Sequence, residues 1–181
     1  MPLLSLLAAL FLFAAPVTAA PLTTIPSLDV PRYMGSWYEI ARYPNRFQRQ
    51  CVGESRADYQ LQPDGSVQVT NRCQLAGGEV EVAVGQARQL GGPNSARLEV
   101  RFAPAWLSFI PAVWGDYWVV DIADDYQWVI VSEPRREYLW LLARQACLSA
   151  DRRQVLLGRL QVLGVETHRL LIANRCAAAA G

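Results

Sequence analysis

Four cysteines, a single histidine and a few acids at turns are the side chains through which this chain could do covalent or metal chemistry. Cys51, Cys73, Cys147 and Cys176 are too widely spaced for the paired clips that hold zinc. As an even set in an exported chain they read instead as two disulfides. His168 stands alone, and no serine or cysteine elbow motif accompanies it, so it reads as an ordinary surface histidine. Asp121, Asp124, Asp125 and Glu133 could work as paired acids, yet carboxylates beside turns are ordinarily solvated. No catalytic residue, metal ligand or cofactor is assigned, and the chain is expected not to be an enzyme.

The remaining composition narrows the classes further. A formal net charge of +1, with every basic residue an arginine, leaves no cationic excess to neutralise phosphates, so no nucleic-acid partner is expected. An uncharged run from Leu3 to Phe13 precedes the small-residue stretch Ala14 to Ala19. That run is too short to span a bilayer and reads as a secretory signal peptide over 1–19, leaving one mature domain over 20–181. At this length, with 52% hydrophobic residues, the domain can bury a sizeable core.

Positioning falls to short strands. From Trp37 onward, period-2 runs alternate with turn signals: Trp37–Tyr43, Glu54–Gln62, Ser66–Leu75, then Val80, Val82 and Val84, then Leu98, Val100 and Phe102. Asp64-Gly65, Gly77-Gly78 and Gly91-Gly92 supply tight turns. The later runs, Tyr117–Ile122, Gln127–Ser132 and Tyr138–Ala143, are apolar on both faces, so something must cover their outer side. A helix from about Ala150 to Leu163, capped by Ser149 and stopped by Gly164, supplies the cover through Val155, Leu156, Leu160 and Leu163. Residues Arg169–Ala173 give a last strand. The fold class is therefore all-β: an eight-stranded antiparallel up-and-down barrel with a C-terminal α-helix packed outside and a short ninth strand.

Three blocks carry a family resemblance. Gly35-Ser36-Trp37-Tyr38-Glu39-Ile40, then Asp116 to Asp121 with Asp124-Asp125-Tyr126, then Tyr138 to Arg144 resemble, in order and spacing, the conserved blocks of the lipocalins. Within that family the chain is most similar to the bacterial outer-membrane lipocalins and apolipoprotein D. It departs from the lipid-anchored bacterial members in having no cysteine near the expected cleavage site. The resemblance implies an exported periplasmic or outer-membrane-associated protein. It also implies a barrel floor in which Arg144 lies across Trp37 beside Gly35.

Parity then sorts the wall. If Arg144 faces inward, Leu142 and Trp140 share its face, and the resemblance favours Trp118, Val120 and Ile122 inward. Tyr59, Leu98, Val100 and Phe102 are inward by alternation. The expected partner is a small lipophilic ligand, a fatty acid or lysophospholipid, held for transport, storage or membrane maintenance. An enzyme acting on a lipophilic substrate and an interaction module with an apolar rim are the alternatives. The apolar stretch 103–114, with Trp106, Phe109 and Trp114, is expected at the open end as a lid, a membrane contact or a homodimer contact, in that order. Arg46, Arg49, Arg135 and Arg136 are expected at the same rim. Strand direction favours Cys51–Cys73 and Cys147–Cys176. The alternative Cys51–Cys176, which resembles apolipoprotein D, would strand Cys73 and Cys147 at opposite ends.

Overall fold

Runs with period-2 patterning become strands, and the turns fall where glycine, proline and asparagine cluster. The computed structural model describes residues 21–173; the expected signal peptide and Cys176 lie outside the described residues. The strands are β1 (Gly35–Arg42), β2 (Ser55–Leu61), β3 (Val67–Gln74), β4 (Val80–Gln89), β5 (Arg97–Arg101), β6 (Gly115–Ile122), β7 (Trp128–Ser132), β8 (Leu139–Ala143) and β9 (Leu171–Ile172). Each of β2 to β7 pairs antiparallel with the next, and β1 pairs with both β8 and β2, which closes the barrel. Closure removes most of the free edge on which an open sheet would aggregate. Strand β1 divides its length: Gly35–Tyr38 pair with β2, while Ala41 and Arg42 pair with β9. Strand β4 pairs with β5 only over Gln86–Gln89, so its first half has a strand neighbour on one side alone.

Apolar side chains form two layers separated by the barrel wall. The inner layer gathers Trp37, Tyr59, Val67, Val69, Leu98, Val119, Val131 and Leu142. The outer layer joins Ile40, Val120, Ile130, Leu141 and Ala143 to Leu156 and Leu160 of α2 (Ala150–Val162). This is the cover that the doubly apolar late strands require. Ser149 Oγ accepts from the Arg152 N–H at 3.3 Å, and Gly164, at φ 74°, ends the helix. Leu156 and Leu160 are fully buried, each contributing about 1.5–3 kcal/mol. Val155 does not join them: it is 63% exposed, because it sits about 100° around the helix from Leu156.

A short helix before β1 was not anticipated from the sequence. Asp29 caps α1 (Val30–Tyr33), its Oδ1 accepting from the Arg32 N–H at 3.1 Å, with Pro31 in the first turn. An acidic cap followed by proline was the available signal. Leu28, Val30 and Tyr33 turn inward across the closed end, and Ile25 N–H donates to the Val119 carbonyl at 3.0 Å.

Leu160→Ala should lower unfolding free energy by about 2–5 kcal/mol. Val155→Ala should change it by less than about 0.5 kcal/mol. Equilibrium urea unfolding of both variants checks this division of the helix faces.

Candidate functional site: the barrel cavity

The closed end is built around one indole. Trp37 is fully buried, and its Nε1–H donates to the Tyr33 carbonyl at 2.8 Å. The Arg144 guanidinium lies 3.8 Å from the Trp37 ring centroid. It donates to the carbonyls of Ser36 at 3.0 Å, Arg32 at 2.8 Å, Tyr33 at 3.3 Å and Tyr126 at 3.3 Å. Burial draws its pKa below the ordinary arginine value. Gly35 has φ 91°, a left-handed conformation that calls for glycine, and a Cβ there would stand 3.4 Å from Arg144 Nη1. Gly35, Trp37 and Arg144 lie beneath the cavity and are not among the residues lining it.

Above this floor stands a cavity of about 720 Å³, within the usual range for small-molecule sites. Its wall includes Tyr59, Val67, Val69, Leu98, Val100, Phe102, Trp140 and Leu142. Three phenols meet at its deep end. The Tyr117 hydroxyl lies 2.6 Å from that of Tyr33 and 2.9 Å from that of Tyr59. Burial raises all three pKa values, that of Tyr59 to about 12. Higher up, Glu39 is buried in the wall, bonded to Arg42 Nη1 and Gln48 Nε2, both at 2.7 Å. Gln48 Oε1 in turn accepts from Trp140 Nε1 at 3.0 Å, which fixes that indole against the cavity.

The mouth mixes aromatic and charged groups. Phe47, Tyr138 and Trp140 form a ladder, with Tyr138 and Trp140 stacked at 6.0 Å. Arg46 and Arg135 line the cavity there. Glu133 is committed to its own turn, its carboxylate accepting from the N–H groups of Arg135, Glu137 and Tyr138. Cys51 and Cys73 are bonded to each other, with Cα atoms 5.5 Å apart, and both line the upper wall. Glu81 stands near them, but the two sulfurs of that group are already joined. Cys147 is also disulfide-bonded, and its expected partner, Cys176, lies outside the described residues.

A family model of the lipocalin-like domain matches residues 28–175. Temperature-induced lipocalin-1 of Arabidopsis thaliana is 42% identical over 130 residues, 70% of this chain and 68% of that protein. The outer membrane lipoprotein Blc of Escherichia coli K12 is 33% identical over 162 residues, 87% of each chain. The chain belongs to the lipocalin family. The structure of insecticyanin from the tobacco hornworm Manduca sexta superposes with a TM-score of 0.65 over 88% of this lipocalin and 87% of that chain, at 15% identity, a likeness of fold alone.

Two expectations for the wall of this lipocalin need correction. Trp118 and Val120 face outward, into the layer under the helix, and the Arg97 guanidinium sits 4.8 Å from the Trp118 ring. Between Val119 and Asp121 the β6–β7 register shifts by one residue. Counting by twos back from Ile122, which does face inward, therefore fails across the bulge, and Tyr117 and Val119 take the inner face. In the mouth loop, Trp106 and Phe109 are 73% and 77% exposed and are not among the residues lining the cavity, contrary to the expected ligand contact. Trp114 does line the cavity, but it is fastened: its Nε1–H donates to the Ser108 carbonyl at 2.9 Å, and Arg88 and Arg101 sit 4.1 and 5.2 Å from its ring. Of the rim arginines, Arg49 and Arg136 are not among the lining residues. His168 lies on the 3-10 turn Thr167–Arg169, outside the cavity. Tyr33, Tyr117, Glu39 and Gln48 were missed, because alternation identifies apolar positions and says nothing about which polar groups share an interior.

Arg144→Ala should cost on the order of 3 kcal/mol, since it leaves buried carbonyls unpaired and the indole uncovered. Denaturant unfolding of the variant measures this. The buried phenols hold their protons more tightly than in the unfolded chain, so their stabilisation is complete below about pH 10 and declines as pH rises through the folded values. In a phenolate-absorbance titration Tyr59 should ionise near pH 12, and a Tyr33→Phe/Tyr59→Phe/Tyr117→Phe variant should lack that late step.

Proposed function

We propose that this lipocalin is an exported carrier that holds a fatty acid or lysophospholipid in its barrel. The observation that carries this reading is one continuous cavity reaching from Tyr33 near the floor to Arg46 and Arg135 at the mouth, its wall mostly apolar and aromatic with a few polar groups such as Glu39 and Asn71. An acyl chain gains about 0.8 kcal/mol for each methylene moved from water into such a wall, and an anionic head group would sit among the arginines. Two observations weigh for a container over an enzyme acting on lipophilic substrates: the cavity sulfurs are bonded to each other, and the acid near the mouth is occupied by its own turn. Mass spectrometry of solvent extracts from purified protein should find co-purifying acyl lipid. Titration with octadecanoic acid should quench tryptophan emission through Trp140 and Trp114. Val100→Trp, which fills the mid-cavity, should weaken that binding about tenfold or more. Lipid-free protein that also ignores added octadecanoic acid would refute the carrier reading.

The exposed pair Trp106 and Phe109 supports contact with a membrane surface, the place where aromatic side chains with one apolar end are favoured. The name of the Escherichia coli relative, an outer membrane lipoprotein, points to the same compartment. Co-sedimentation with vesicles of phosphatidylethanolamine and phosphatidylglycerol should fall in Trp106→Ser/Phe109→Ser, whereas affinity for octadecanoic acid should hold. Unchanged sedimentation would remove the membrane role from this loop.

A further inference from the structure

The three phenols at the deep end have a proton to spare. Tyr33 comes from α1, Tyr59 from β2 and Tyr117 from β6, and their hydroxyls meet with Tyr117 in the middle. Each hydroxyl brings one proton and can accept two hydrogen bonds. Two oxygen–oxygen contacts consume two of the three protons, whichever way each contact is directed. The third proton is left over in every arrangement. Among the described residues, no other group of the protein hydrogen-bonds to these hydroxyls. All three residues line the cavity, and Tyr117 is only partly buried although it packs within the inner layer, so the cluster opens toward the ligand space.

Around the cluster the wall is apolar: Val67, Val69, Ala87 and Leu98 surround it. Arg144, a cation whose charge reaches Tyr33, lies under Trp37 and is engaged with backbone carbonyls. A plain alkyl tail pushed to this depth would strip the hydroxyl of water and give nothing back, which is costly for a buried donor. A carboxylate would bring a charge into the same apolar surroundings with one neutral donor to meet it, and is disfavoured more strongly.

We propose that this cluster is a subsite for a neutral oxygen acceptor, and that the preferred ligand is an oxygenated acyl chain: one with a keto or hydroxyl oxygen remote from its head group. The inference rests on the carrier reading and adds the ligand's chemical class to it. Burial keeps the phenols neutral, as the raised pKa values require, so the subsite donates without attracting cations.

The test is a series of keto-octadecanoic acids, the carbonyl moved along the chain, competed with a fluorescent fatty acid and compared with octadecanoic acid. One carbonyl position should bind about three- to tenfold tighter than the parent acid, the net effect of one neutral hydrogen bond. In Tyr33→Phe/Tyr59→Phe/Tyr117→Phe, which removes every partner of the cluster together, that ratio should fall to one, whatever the variant's affinity for the parent. The wild-type protein alone gives a second readout, independent of whether the variant folds. The carbonyl stretch of the best keto acid, carbon-13 labelled, should move to lower wavenumber on binding. An unshifted stretch, a series with no position better than the parent, or a gain that survives the triple substitution overturns the subsite. Octadecanoic acid binding without any keto preference removes only the subsite, whereas failure of every acid to bind removes the carrier reading with it.

Discussion

The stacking of Arg144 on Trp37 is the constraint on which the rest of the barrel depends. One guanidinium ties α1, the start of β1 and the turn after β6 to the end of β8 through backbone carbonyls. Those carbonyls lie on α1, on the first residues of β1 and on a turn, and would otherwise need water at the closed end. Replacing water by a planar cation that also covers the indole seals the floor without a hydrophobic plug larger than one tryptophan. Gly35 permits it by turning the chain with a positive φ beside the guanidinium.

Much of this was legible in the residues. Strand positions followed from alternation and turn chemistry, and the helix from its Ser149 cap, its Gly164 stop and the need to cover strands apolar on both faces. The Cys51–Cys73 bond followed from strand direction, which brings both ends of one hairpin to the mouth. What failed was the inward placement of Trp118 and Val120 that the resemblance favoured, across an irregularity. A bulge leaves no signature in a run such as Tyr117-Trp118-Val119-Val120, where every residue is apolar and either face would accept it. Only the partner strand decides, through a register that sequence spacing does not contain. The floor helix was missed for a different reason: four residues are too few for any periodicity to show.

The polar interior was the least legible part. Tyr33, Tyr59 and Tyr117 lie far apart in the chain and each reads singly as a core aromatic. Their meaning arises only when three elements bring the hydroxyls within hydrogen-bond distance. The same is true of Glu39, which sequence patterning treats as one letter of a block. The structure makes it the buried end of a relay through Gln48 to the Trp140 indole.

Strand β4 has a mechanical consequence for the container. Its neighbour β5 joins it only from Gln86 onward, and at Gly85 the Phe102 ring packs where a Cβ would otherwise stand. Above that point, among the described residues, no backbone hydrogen bond crosses from 80–84 to the loop that follows β5. The circumference is thus a stiff hoop below Gly85 and a slit collar above it. A strand edge held on one side alone moves more readily than one paired on both. The aperture can therefore widen along this seam without breaking a ladder bond, while the sealed base keeps its shape.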